Sequence, residues 1–138
     1  MSEIEKKDTP PDVKVDQLVR YVKKVWGHEE WIVNNAKYCG KKLVFKKGYR
    51  CSFHHHKIKD ETFYVLRGRF LVELDDNKNI RKLLVTPGDV IHVSPGVWHR
   101  LTSLDENAVI IEFSTFHMEE DSYRRSVSEK VDLKTLGF

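Results

Sequence analysis

The chain has 138 residues, 40% of them hydrophobic, which fits one domain and supplies enough apolar side chain for a buried core. Its 24 Lys and Arg against 21 Asp and Glu leave a net charge of +3 with both signs interspersed, so no basic block marks it for nucleic acid. No run approaches the roughly 18 apolar residues of a membrane-spanning helix, and the opening MSEIEKKDTPPD lacks the apolar centre of a secretion signal, which reads as a cytoplasmic protein without a membrane partner.

In chain order, residues 1–12 are rich in charge and carry Pro10 and Pro11, a composition expected to stay mobile. Along 13–25 the positions Val15, Leu18, Val19, Val22 and Val25 fit helical spacing, while Val13 and Val15 alternate as in a strand. Residues 1–25 therefore read as an N-terminal extension, mobile or helical in part. From Trp31 onward, short runs of Val, Ile, Leu, Phe and Tyr are broken by turn residues such as Arg67-Gly68, Pro87-Gly88 and Pro95-Gly96. Nine strands are expected, at 31–37, 41–46, 50–56, 61–66, 69–74, 80–85, 89–93, 99–104 and 108–115. Short strands without intervening helices predict an all-β sandwich or barrel over 26–116. The charged stretch from His117 can form a short helix in a tail over 117–138. Cys39 and Cys51 are too few for a disulfide framework and form no CxxC pair, so both are expected as reduced thiols.

Chemistry concentrates in His54-His55-His56, with Glu61 five residues beyond. In a strand His54 and His56 share one face and His55 takes the other. A turn over 57–60 brings Glu61 back beside them, and His99 opens another strand after Ser94-Pro95-Gly96. Three neutral imidazoles and one carboxylate suit a divalent ion such as Mn, Fe, Co, Ni or Zn and leave positions open for substrate or water. The alternative is a solvated His patch with two unrelated surface residues.

The glycines around these residues weigh against that alternative. Gly48, His54, His56, Glu61 and Gly68 spell G-X5-H-X-H-X4-E-X6-G, and Gly88, Pro95, Gly96 and His99 spell G-X6-P-G-X2-H. The two blocks resemble the paired motifs of the cupin superfamily over about residues 40–115, with Ser94 and Ser103 departing at positions that are not ligands. The resemblance implies a small β-barrel (jelly roll) in which His54, His56, Glu61 and His99 bind one metal ion.

Around the barrel, Trp26-Gly27, the block 54–63, His99-Arg100-Leu101, the strand 110–113 and the tail 119–124 occur in the order seen in the isomerase domain of type II phosphomannose isomerases, which the chain is similar to. His54, Lys59 and Phe63 depart from that pattern, and a turn lysine with a last-strand glutamate is also similar to D-lyxose isomerase-type cupins. The resemblance implies a metal-dependent aldose–ketose isomerase acting on a sugar or sugar phosphate, and a homodimer.

The chemistry agrees with that set. Moving a proton between C2 and C1 passes through an enediolate, whose charge a divalent cation stabilises, and a base must reach the carbon-bound proton. Glu112, a carboxylate in an apolar strand where burial favours proton uptake, is the expected base; a rim carboxylate paired with Lys or Arg is the alternative. Lys59 is expected to stabilise the oxyanion, contact substrate or shuttle protons, and Arg124 to hold a phosphate or distal hydroxyl, unless the first is a solvated turn residue and the second a surface ion pair. Trp26, Trp31, Trp98, Phe63 and Tyr64 can line a sugar cleft or simply pack. His28, His92 and His117 show no ligand spacing and are read as structural. Two competing functions remain: an Fe(II) dioxygenase, which needs an apolar cavity without Lys59, Glu112 and Arg124, and a non-catalytic sugar-binding module.

Overall fold

Along 39–45 every second residue is buried, so Cys39, Lys41, Leu43 and Phe45 face inward and the residues between them face out. The same alternation recurs through the chain and builds two antiparallel sheets. The structure, a computed structural model, describes Val13, Val15 and residues 19–138. Its strands are β1 (Arg20–Lys24), β2 (Gly27–Asn34), β3 (Cys39–Phe45), β4 (Tyr49–Arg50), β5 (His54–His55), β6 (Glu61–Arg67), β7 (Phe70–Asp75), β8 (Ile80–Val85), β9 (Val90–Val93), β10 (Trp98–Ser103), β11 (Ala108–Ser114), β12 (Tyr123–Arg124) and β13 (Glu129–Lys130).

One sheet runs β1-β2-β3-β11-β6-β9. In the other, β10 is central, with β7 and then β8 on one edge and the short β5 and β4 on the opposite edge. The inner faces enclose Phe45, Phe63, Val65, Phe70, Val72 and Ile110, all buried, as a β-barrel core. Trp26 stacks on Phe45 with ring centroids 4.0 Å apart, and Phe70 meets Phe45 edge-on at 5.2 Å. Every expected strand between 31 and 115 is present, but the single one at 50–56 is divided into β4 and β5, with Cys51, Ser52 and Phe53 buried between them.

The helical spacing along 13–25 does not produce a helix among the described residues. Arg20–Lys24 is instead a strand, closed onto β2 by a tight turn at Val25-Trp26. Pairing with the edge of β2 overrides the spacing: Tyr21 stacks on His28 at 4.5 Å, and the Arg20 guanidinium lies 4.6 Å from the centre of the Trp31 ring. Residues 1–12, 14 and 16–18, and the mobility expected of the first twelve, lie outside the described residues. The tail forms no α-helix; it has two short 3₁₀ helices, at Glu119–Asp121 and Leu133–Leu136, and between them β12 adds to β5 and β13 adds to β4.

Gly27 explains the Trp-Gly pair ahead of the barrel. Its φ is +148°, and a Cβ there would lie 1.9 Å from the Val44 carbonyl oxygen, so only glycine lets β2 start this close to β3.

Candidate active site

His54 stands in β5, His56 follows it, Glu61 opens β6, and His99 in β10 is the register partner of His54. Each imidazole is oriented by a main-chain carbonyl. His54 Nδ1 donates to Ser52 O at 2.8 Å, His56 Nδ1 to Asp121 O at 3.0 Å and His99 Nδ1 to Val97 O at 3.0 Å. A carbonyl only accepts, so in the neutral ring the proton sits on Nδ1 and the Nε2 lone pair is left for the interior. Burial, with His99 alongside, holds His54 well below its ordinary pKa, and burial lowers His56 as well. Glu61 differs: burial pushes its carboxyl up, but His99, Lys59 and His56 prevail and hold it below the usual carboxylate range.

One potential ligand atom from each of the four residues lies within 4.8 Å of all the others, an arrangement that could hold a metal ion. Glu61 Oε2 is 2.9 Å from His99 Nε2 and 3.6 Å from His56 Nε2. Both Glu61 Oε2 and His99 Nε2 are buried without a hydrogen-bond partner. Two lone-pair atoms facing each other in a dry interior are costly, and a cation shared between them removes that cost, so the donor set fits a divalent metal. His55 points the other way, between Trp98 at 4.2 Å and Tyr123 at 5.1 Å.

A second cluster adjoins the first. Lys59 is 3% exposed, not a solvated turn residue, and its Nζ contacts Glu112 Oε2 at 2.7 Å, His117 Nδ1 at 3.0 Å and Glu61 Oε1 at 3.3 Å. Burial opposes its charge, but Glu112 and Glu61 outweigh it and raise the lysine above its ordinary pKa. Glu112 is therefore not the lone carboxylate the apolar strand suggested: Lys59 compensates its charge, and Ser114 Oγ donates to the same Oε2 at 2.9 Å. Its Oε1 is left for another partner.

His117, read from sequence as structural, belongs to this cluster. It accepts from Lys59 through Nδ1, while Nε2 lies 3.3 Å from Glu119 Oε2. Burial, then Lys59 and Lys41, lower it to about 4, so it is neutral. Asn34 pins its main chain from both sides, accepting from the N–H and donating to the carbonyl.

His54, His56, Glu61, His99, Lys59, Glu112 and His117 line one open-mouthed cavity of about 690 Å³. Trp26 and Phe63 contribute to its apolar wall, and Arg124 reaches its mouth, where it donates to Glu119 at 2.8 Å. Trp98 packs outside against His55 and Arg125, and Tyr64 faces outward. His28 bonds Glu30, and His92 bonds Asp60. Sequence reasoning also missed Lys41, Glu29 and Asp121. Lys41 was recoverable, since strand parity puts it on the same face as Leu43 and Phe45. Asp121 carries no such signal. Its carboxylate accepts from the backbone N–H groups of Lys57, Ile58 and Lys59 at 2.9–3.2 Å, fixing the turn that supplies Lys59 and Glu61.

A family model described as a cupin domain matches residues 42–114, just over half the chain and including all four candidate ligands. The protein belongs to the cupin family. One relative of this cupin is the TDP-4-oxo-6-deoxy-alpha-D-glucose-3,4-oxoisomerase of Aneurinibacillus thermoaerophilus, 30% identical over 74 residues. The match covers 53% of each chain, so the cupin spans about half the length of that relative. Among solved structures, capsular polysaccharide assembling protein CapF from Staphylococcus aureus superposes with a TM-score of 0.72 at 19% identity, over 86% of this chain and 37% of that one. KdgF from Halomonas sp. gives 0.63 at 19%, over 75% and 90%. Bacillus subtilis oxalate decarboxylase, an enzyme with Mn(II) centres, gives 0.69 at 18%, over 78% and 30%. At these identities the structural likeness concerns the fold. The cupin thus combines a barrel, a cluster able to bind metal and a relative that isomerises a sugar derivative.

Proposed function

We propose that this cupin is a metal-dependent isomerase of a sugar or sugar phosphate, moving a carbonyl between adjacent carbons through an enediolate, as in an aldose–ketose conversion. The observation that carries the reading is the buried Lys59–Glu112 pair beside the four-ligand cluster, within one cavity. An oxygenase acting on an apolar substrate would need neither group. The relative supports the reading, because a 3,4-oxoisomerase shifts an oxo group between neighbouring carbons and needs the same proton transfer.

His54, His56, Glu61 and His99 would hold one ion, Mn, Zn, Fe, Co or Ni, whose positive charge is the chemistry it supplies when bound: stabilisation of negative charge developing on substrate oxygens. The remaining work falls to the chain. Glu112 Oε1 takes the proton from one carbon and returns it to its neighbour, while Lys59 and Ser114 on Oε2 fix the carboxylate plane. Lys59 orients Glu112, and His117 in turn orients Lys59. Trp26 and Phe63 present apolar surface to sugar C–H faces. Arg124, already joined to Glu119 at the mouth, is placed to meet a distal hydroxyl or phosphate. A cytoplasmic homodimer completes the reading.

The test is a screen of metal-reconstituted protein against aldoses, ketoses, their 6-phosphates and nucleotide-linked 4-oxo sugars in D₂O, read by NMR. Deuterium incorporated at the carbon that gains the proton, C2 of an aldose or C1 of a ketose, supports the isomerase. Consumption of dioxygen with an apolar substrate, and no exchange on any sugar, sinks it.

A further inference from the structure

Two buried lysines line the cavity, and their surroundings differ. An ammonium has three N–H donors and accepts nothing. Lys59 has three acceptors within 3.3 Å, so its donors are spoken for. Lys41 is more buried, at 1% exposure, yet its hydrogen-bonding partner is a single atom, Glu29 Oε1, at the long distance of 3.5 Å. That oxygen is already engaged by the Trp31 indole N–H at 2.8 Å. The other contact of the ammonium is the face of Trp31, 4.1 Å from the ring centroid.

A charge withdrawn from water this far is costly unless it is paired and its donors are filled. Here the charge is held by a shared carboxylate and a π-face, and donor capacity is left over inside the cavity. We infer that Lys41 is the recognition point for an anionic oxygen of the ligand, a carboxylate or phosphoryl group, received on the cavity side of the Lys41 ammonium. The inference rests on the reading of this cavity as a substrate site and narrows the substrate to one bearing a negative charge. A neutral hydroxyl would fill one donor but not the charge deficit that Glu29, at its distance, leaves. Placement fits as well. Lys41 and Glu112 are register partners on adjacent strands, so a group anchored at Lys41 lies one strand from the proposed base. Lys59 accordingly becomes a positioning residue, and substrate binding shifts from it to Lys41.

The experiment uses metal-free full-length protein, so that no anion can bind through an ion. Inorganic phosphate and glycolate are titrated separately while the Trp31 indole N–H resonance is followed, with a neutral aldose as a third arm. Saturable movement of Trp31 by phosphate or glycolate is expected, with the tighter anion naming the ligand class. Lys41→Met should weaken it about tenfold or more, and Lys41→Arg should retain most of it. Should Lys41→Met fail to fold, the wild-type titration and Lys41→Arg still decide. An unmoved Trp31, or equal affinity in Lys41→Met, overturns the role of Lys41. If in addition the neutral aldose binds wild type and Lys41→Met alike, the sugar reading stands without it; if no arm binds, both readings lose support.

Discussion

The main-chain carbonyl of Asp121 accepts the Nδ1–H of His56 at 3.0 Å while the Asp121 side chain holds the amides of the turn that follows His56. One tail residue thus sets the tautomer of a candidate ligand and the course of the chain to the next one. Burial pushes the Asp121 carboxyl up, but the N–H groups of Lys59, Lys57 and Ile58 outweigh it and keep the pKa low. Asp121→Ala should therefore weaken metal binding by about 10- to 100-fold, although Asp121 touches no ion, and Asp121→Asn should recover part of the loss. Competition against a chelating dye measures it. Ser126→Ala, which removes the hydroxyl that receives the Phe53 N–H elsewhere on the tail, should leave the affinity near wild type. Equal losses in both variants would mean that the tail contributes general stability alone.

Glu61→Ala, His56→Ala and His99→Ala should each lower the bound metal found in elemental analysis, because each removes one of the four donors. Wild type should also be stabilised by added ion, by about 2.7 kcal/mol at a hundredfold excess over Kd. At the same ion concentration His99→Ala should show a much smaller gain in a denaturant titration. A wild-type unfolding curve indifferent to every divalent ion tested would count against the metal centre.

The barrel and the four-residue cluster that could hold a metal were legible because both depend on local spacing. Period-two alternation marks strands, and two glycine-framed blocks mark His54, His56, Glu61 and His99. What escaped depends on partners distant in sequence. The edge of β2 converts a helically spaced segment into β1. The ion pair that changes the character of Glu112 comes from a turn 53 residues earlier, Lys59. His117 gains its role only because Asn34, 83 residues away, fixes its backbone beside Lys59. Lys41 is a different case: its parity was readable, but a single lysine in an alternating strand gives no hint that Trp31 and Glu29 flank it.

Gly27→Ala should destabilise the protein by about 3 kcal/mol or more, since the strained φ and the Val44 carbonyl at 1.9 Å from the new Cβ both have to be relieved by moving backbone. Chemical denaturation with an unchanged slope would report it. Gly96→Ala, at a positive φ but with nothing within 4 Å of its Cβ, should cost distinctly less. Similar losses would place the whole effect in φ and none in the β2–β3 approach.

For the base, Glu112→Gln keeps the shape of the side chain and a partner for Ser114 but cannot take a proton. On a substrate found active, kcat should fall by about 10²- to 10⁴-fold with metal content unchanged. Lys59→Met should fall too, through a disordered Glu112, and the Lys59→Arg variant should recover more of kcat than Lys59→Met if orientation is the task. Wild-type deuterium exchange in Glu112→Gln would move the search for the base to His117, whose Nδ1 already accepts a hydrogen bond inside the cavity.

Cys51, on the wall of the same cavity, offers a check on the packing of the barrel that needs neither metal nor substrate to be added. Burial pushes its thiol up to about 11, against an ordinary value of 9.0, with its Sγ accepting the Leu101 N–H at 3.3 Å. The sign follows from proton counting. Between pH 9 and 11 the unfolded thiol has lost its proton and the folded one has kept it, so unfolding releases protons and stability falls as pH rises through that window. The contribution is complete below pH 9 and amounts to about 2 to 3 kcal/mol once both forms have titrated. Urea titrations at pH 8, 9.5 and 11 on wild type and Cys51→Ala isolate it, because every other alkaline group is common to the two. The wild type should lose more stability than the variant across this range, and native Cys51 should resist thiol reagents until the protein is unfolded. Parallel curves with rapid labelling of native Cys51 would place the thiol in contact with water and contradict its buried position beside Leu101 of β10.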